Sequence, residues 1–133
     1  MKKLLLISIL LIIAGCDKES TTESSVDPLV GVWEGTEMTV SNDQTSVTYQ
    51  LNDPTSDIGT ITYIFGEDGV FSNTSISSSG TESYSGTWSS TGGKLTMIDD
   101  EGTEVIDFTI SGNTLTLTGV EDGVTMSITF TKQ

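Results

Sequence analysis

From Val124 to Thr131 the chain alternates without a break: Val124, Met126, Ile128 and Phe130 are separated by Thr125, Ser127, Thr129 and Thr131. In an extended strand this spacing puts apolar side chains on one face and hydroxyls on the other, whereas on a helix it would scatter them around the axis. The pattern recurs at Ile61, Tyr63 and Phe65, at Tyr84, Gly86 and Trp88, at Leu95 and Met97, at Ile106, Phe108 and Ile110, and at Leu115 and Leu117. Val70–Ile76 and Thr45–Leu51 read as weaker strands. The first strand spans Val30–Val40, where Trp33 is out of phase with Val32, Met38 and Val40, and a bulge near Gly35 would reconcile the phases. Acidic-Gly segments separate the strands: Glu67-Asp68-Gly69, Asp100-Glu101-Gly102 and Glu121-Asp122-Gly123, with Ser111-Gly112-Asn113 between two more. Helix-favouring Ala is almost absent, while Ser, Thr, Val and Ile dominate. The expected fold is all-β, an antiparallel up-and-down meander of eight or nine strands. Closing it into a barrel removes the exposed edges. A two-sheet β-sandwich fits the same periodicity. Lys94–Phe108 and Thr114–Ile128 echo each other, as two successive hairpins of similar size would.

The N-terminal segment is of another kind. Lys2 and Lys3 precede an apolar run over residues 4–13, followed by the small residues Ala14 and Gly15 and then Cys16, the single cysteine. The run is too short for a bilayer core, which needs ~20 residues. Ile13-Ala14-Gly15-Cys16 resembles a bacterial lipobox. That resemblance implies cleavage before Cys16, acylation of its thiol, and usually of the new amine. Residues 1–15 then form a lipoprotein signal peptide. Residues 16–28 carry the lipidated Cys16 and a polar tether rich in Ser, Thr and acids, and residues 29–133 form one small domain. With one cysteine, no disulfide can staple that domain, so its own core must hold it.

The full chain has 5 Lys+Arg and 19 Asp+Glu, a net charge of −14, with neither Arg nor His. Loss of Lys2 and Lys3 with the signal leaves −16 on residues 16–133. Such a surface repels nucleic acid, whose affinity rests on basic contacts to phosphate. It also repels anionic headgroups, so attachment to the membrane falls to the lipid.

Leu29-Val30-Gly31-Val32-Trp33, Tyr63-Ile64-Phe65-Gly66-Glu67-Asp68-Gly69-Val70-Phe71, Gly86-Thr87-Trp88, Leu95-Thr96-Met97 and Leu115-Thr116-Leu117 together resemble the lipocalin-like lipoproteins of Bacteroidota. The likeness covers nearly all of residues 29–131. Gly31-x-Trp33 is similar to the G-x-W of lipocalins, in which the Trp closes one end of the barrel under an Arg. Here Lys132 is the cation nearby. The resemblance implies a lipocalin-like barrel that binds a small apolar or amphipathic ligand. The acids next to Cys16 are similar to export signals of that group, which implies a lipid-anchored protein of the cell envelope, at the outer membrane.

The residue inventory narrows the chemistry. Without His there is no Ser-His-Asp triad, and acylation would remove the only thiol. The carboxylates sit mostly in Gly-containing turns, so no catalytic residue is expected and the protein is read as a non-enzyme. Asp53–Gly59 alternates oxygen-bearing residues but lacks the flanking helices and closing Glu of an EF-hand, and reads as a turn. No metal or other cofactor is expected. Trp33, Tyr63, Phe65, Tyr84, Trp88, Phe108, Met126 and Phe130 fall on apolar faces, where they either fill a barrel or line a pocket for a ligand. Trp33 and Trp88 are expected to be the largest contributors to the core. A partner protein acting on loops or strand edges, with a filled core, is the alternative function.

Overall fold

A computed structural model describes residues 26–133; the signal segment, Cys16 and most of the tether lie outside the described residues. Nine strands follow in order: β1 (Gly31–Ser41), β2 (Ser46–Gln50), β3 (Thr60–Phe65), β4 (Val70–Ser77), β5 (Gly80–Thr91), β6 (Lys94–Ile98), β7 (Thr103–Ser111), β8 (Thr114–Glu121) and β9 (Val124–Lys132). All pairings are antiparallel between sequence neighbours from β3 to β9, and β1 closes the ring by pairing with both β3 and β9. The result is an eight-strand barrel plus β2, so the barrel prevails over the sandwich.

One long strand makes this closure possible. The lower half of β1, Gly31–Glu34, pairs with β3, while Glu37–Ser41 pairs with β2 on that side and with β9 on the other. The register of β1 against β9 slips between Gly35 and Glu37, at the bulge the sequence phases require. At the β8–β9 turn, Asp122 and Gly123 have φ of 50° and 77°, the left-handed pair of a type I′ hairpin.

The strand directions gather the connections at two ends. Turns 66–69, 92–93 and 112–113 lie at one end with residues 26–30 and the C-terminus; turns 42–45, 78–79, 99–102 and 122–123 lie at the other. The first end is closed. Leu29, Trp33, Phe65, Phe71, Leu95, Leu115 and Phe130 are fully buried there. The Trp33 indole N–H donates to the Leu29 carbonyl at 2.8 Å, so the segment before β1 lies against the barrel floor. Asp27 fastens the same segment by accepting from Leu29 N–H and Ser90 Oγ. Lys132 Nζ stands 5.2 Å from the Trp33 ring centroid and donates to Pro28 O, the place the lipocalin comparison gives to an Arg.

The second end is open. β7 and β8 pair only from Asp107↔Thr118 to Ser111↔Thr114, so Thr103–Ile106 and Gly119–Glu121 part and leave a slot in the wall. β2 pairs with β1 alone, and its outer edge is unpaired among the described residues.

Gly86 marks a tight point in the wall. A Cβ there would lie 2.0 Å from the Ile98 carbonyl oxygen and 3.0 Å from the Phe71 ring. Because the first obstacle is backbone, β5 and β6 must separate to admit a methyl group. Gly86→Ala is expected to cost about 1–3 kcal/mol in a denaturant melt. Gly119→Ala, with nothing within 4 Å, should stay within ~0.5 kcal/mol of the parent. Equal melting of the two variants would mean that the Gly86 contact is not tight.

Candidate functional site

Cross-strand partners share a face, so register fixes what looks into the open end. Tyr63, Asn73 and Tyr84 are successive partners across β3, β4 and β5; Leu117 faces Ile128, and Gly119 faces Met126, across β8 and β9. Tyr63, Tyr84, Glu104, Ile106, Leu117, Gly119, Met126 and Ile128 surround a cavity of about 180 Å³. A neighbouring hollow of about 210 Å³ is walled by Phe71, Tyr84 and Met97 and rimmed by Asp99, Glu101 and Glu104. Tyr84 and Glu104 border both.

The phenols of Tyr63 and Tyr84 are hydrogen-bonded to each other at 2.9 Å across the strand that carries Asn73. Phe71 meets the Tyr84 ring edge-on at 6.1 Å, and Phe130 meets Tyr63 the same way at 5.6 Å. Burial, and then the bond to Tyr84, push the Tyr63 phenol far above its usual range. Burial also raises Tyr84, opposed by the bond to Tyr63 and helped by the carboxylates of Glu104, Asp99 and Glu101. Both rings are therefore neutral phenols at any physiological pH. They offer hydroxyls and π faces rather than charge.

The eight residues marked in the sequence divide by height in the barrel. Tyr63, Tyr84 and Met126 line the mouth cavity. Tyr84 and Met126 are each 44% exposed, because they stand at the rim rather than in the core. Trp33, Phe65 and Phe130 form the floor and touch no open cavity. Phe108 is half-buried against that floor. Trp88 is also half-buried. Its N–H donates to Gly66 O, and its ring borders a different hollow, of about 470 Å³, beside Val26 and Asp27 at the closed end. The expectation that Trp33 and Trp88 are the two largest contributors to the core is corrected for Trp88, which is packed against the core without being enclosed by it. Trp33 is enclosed by β3, β9 and Leu29, while Trp88 has a turn on one side and a hollow on the other.

Asn73, Glu104, Ile106, Leu117, Gly119 and Ile128 were not singled out by the sequence. Ile106, Leu117 and Ile128 already stand in the apolar alternations of their strands, and only their height in the barrel separates them from the marked residues. Asn73 is in phase with Phe71, and Glu104 with Ile106, but a polar residue in an apolar phase gives no signal until the ends of the barrel are known. Asp53, in the loop considered for a cation, accepts from Thr55 N–H and Thr55 Oγ1, and these bonds hold its carboxyl below the usual range. That loop is an Asx turn.

The family model described as lipocalin-like domain matches residues 29–132. Among solved structures, a lipocalin-like protein from Bacteroides uniformis ATCC 8492 is similar with a TM-score of 0.55 at 20% identity, over 79% of this chain and 98% of that one. An uncharacterized protein from Bacteroides eggerthii DSM 20697 is similar with a TM-score of 0.53 at 15% identity, over 79% and 99%. No curated protein matches the chain. At these identities the structural likeness speaks for the fold, and it agrees with the barrel, the Gly31-x-Trp33 floor and the match along nearly the whole β-domain: the chain belongs to the lipocalin-like domain family.

Proposed function

We propose that this protein is a lipid-anchored lipoprotein of the cell envelope, held at the outer membrane through Cys16, whose barrel mouth binds a small apolar or amphipathic molecule without chemical conversion. The observation that carries the reading is the contrast between the two ends. The floor is filled by Trp33, Phe65, Phe71 and Phe130, whereas the inward face above it leaves a cavity walled by Tyr63, Tyr84, Ile106, Leu117, Met126 and Ile128. Residues 26–29 run beneath the closed end. An anchor at Cys16 would thus hold that end nearest the lipid and leave the mouth facing away. The absence of His and the location of the only Cys at position 16 support a binding rather than a catalytic role.

Residues 26–133 hold all nine strands and the core, which makes this stretch a self-contained unit for titration. Hexanol, a neutral amphiphile, is expected to shift the NMR signals of Tyr84, Met126 and Ile128 while leaving Trp33 and Phe65 in place. Shifts spread over the outer hydroxyl face, or none at all, would sink the ligand reading.

The second reading, a protein-interaction lipoprotein, is favoured by Val105 and Val120, which are 60% and 71% exposed on the outer side of the slot between β7 and β8. It gains if the mouth takes up no amphiphile and a crosslinker placed at Val120 captures one defined envelope protein.

A further inference from the structure

The outward positions along the β7–β8 seam are polar for most of its length. On β7 they are Asp107, Thr109 and Ser111, and on β8 they are Thr114, Thr116 and Thr118. The next outward residue on each strand, toward the open end, is a valine: Val105 and Val120, 60% and 71% exposed. The ladder stops at the same place. Phe108 N–H donates to Gly93 O on the β6 side, and Lys132 N–H donates to Asn113 O on the β9 side, so alternation turns the backbone groups of Val105 and Val120 toward one another. They would form the next bonded pair after Asp107↔Thr118, but the strands part and that pair is not made. Two apolar side chains thus stand exposed at the lips of an opening, on a face that is otherwise rich in hydroxyls.

The slot also leads inward. It forms a hollow of about 540 Å³ beside Val105 and Val120, and it shares Glu104, Ile106, Gly119 and Met126 with the cavity of about 180 Å³ at the mouth. Gly119 is the open point of this shared wall. It follows Leu115 and Leu117 in the inward phase, where an apolar side chain is due, and a Cβ there would meet nothing within 4 Å. The inner cavity alone has the volume of about six water molecules at ~30 Å³ each, which suits a short alkyl body. A longer chain has a further apolar course past Ile106 and Met126 and out between the two valines.

We propose that the slot between β7 and β8 is a lateral opening of the ligand site, and that it holds the outer part of one unbranched alkyl chain whose head end lies in the mouth beside Tyr63 and Tyr84. The inference rests on the ligand-binding reading above and sharpens it to a ligand class, a single-chain amphiphile longer than the inner cavity. The inward course of the hollow favours this occupant over a docked protein. A protein on the outer surface would cover Val105 and Val120 but leave the space past Gly119 unfilled.

Hexanol and decanol share a head group and differ only in chain length, so they separate these cases when titrated into residues 26–133 with NMR detection. Both are expected to shift Tyr84 and Met126, and decanol alone to shift Val105 and Val120. Decanol should bind about tenfold more tightly than hexanol, because each added methylene laid against an apolar wall leaves water. Val105→Thr combined with Val120→Thr, two exposed and nearly isosteric changes, should lower that ratio about threefold. Val70→Thr, at the closed end and 47% exposed, should leave the ratio as it is. Gly119→Leu should fill the junction and abolish the decanol shifts at Val105 and Val120, with a denaturant melt close to the parent's because the space there is open. If decanol shifts only the mouth residues, or the two Thr substitutions leave the ratio unchanged, the lateral opening falls while the ligand reading stands. If decanol shifts the two valines but not Tyr84 and Met126, the slot is a separate surface patch and the inference falls as well. If neither alcohol binds, the inference and the ligand reading fall together.

Discussion

Trp33→Ala is expected to remove about 3–5 kcal/mol of stability, the largest loss from any single side chain in this barrel. Trp33 is 0% exposed and lies between Tyr63 of β3 and Lys132 of β9, the two strands that β1 joins to close the ring. Truncation leaves a cavity at the floor and also strips the Leu29 carbonyl of its indole donor, a buried acceptor whose orphaning costs about 1–3 kcal/mol on its own. A domain this small has only about 5–15 kcal/mol in total, so the variant should melt at much lower denaturant. Trp33→Phe separates the two causes, since it keeps most of the volume and loses the donor. Lys132→Ala should cost at most ~1 kcal/mol, because its contact with the indole is partly solvated. Trp88→Ala should fall between them, with a half-buried ring and one hydrogen bond to Gly66. If Trp33→Ala and Trp88→Ala melt together, the indole of Trp33 is not what closes the floor.

Cys16→Ser should abolish lipid attachment. An acyl chain contributes ~0.8 kcal/mol per buried methylene, and stable anchoring takes two chains, so losing them removes the whole affinity rather than a fraction. No basic patch can compensate: residues 16–133 carry a net charge of −16 and three lysines. Metabolic labelling with a radioactive fatty acid should mark the parent and leave the Ser variant blank, and the variant should shift from the membrane to the soluble fraction or remain unprocessed. Equal labelling of both would overturn the lipobox reading. The barrel should be unaffected, because its core lies wholly within residues 29–130.

Much of the architecture could be read from local pattern. Strict alternation in β9 and β8, the Asp-Gly turns and the phase break near Gly35 each depend on a few neighbouring residues, and each has its counterpart in the barrel. The weaker strands were legible for the same reason. Ser46–Gln50 alternates Val47 and Tyr49 with polar residues, and becomes a strand even though it is exposed along its length.

The mouth was less legible, because a two-residue period fixes which face a side chain occupies but not its height along the barrel. Phe65 and Tyr63 share a phase, yet one is part of the floor and the other reaches the cavity. Tyr84 and Trp88 share a strand and a phase, yet they border hollows at opposite ends. Strand tilt and stagger decide this, and they follow from how eight strands close rather than from any one of them.

By itself, the sequence determined the β class, the hairpin order and the apolar face of the clearly alternating strands, because these follow from side-chain period and turn chemistry within short stretches; the place of Trp33 at the floor was implied by the resemblance of Gly31-x-Trp33 to the lipocalin motif. Only the tertiary structure decided that the meander closes as a barrel with β2 outside the ring, that one end is packed and the other hollow, and that Tyr63, Tyr84 and Glu104 meet at the hollow end. Those outcomes depend on pairing between β1 and β9, the first and last strands, and on the shear of the closed sheet. No local window of the sequence contains either.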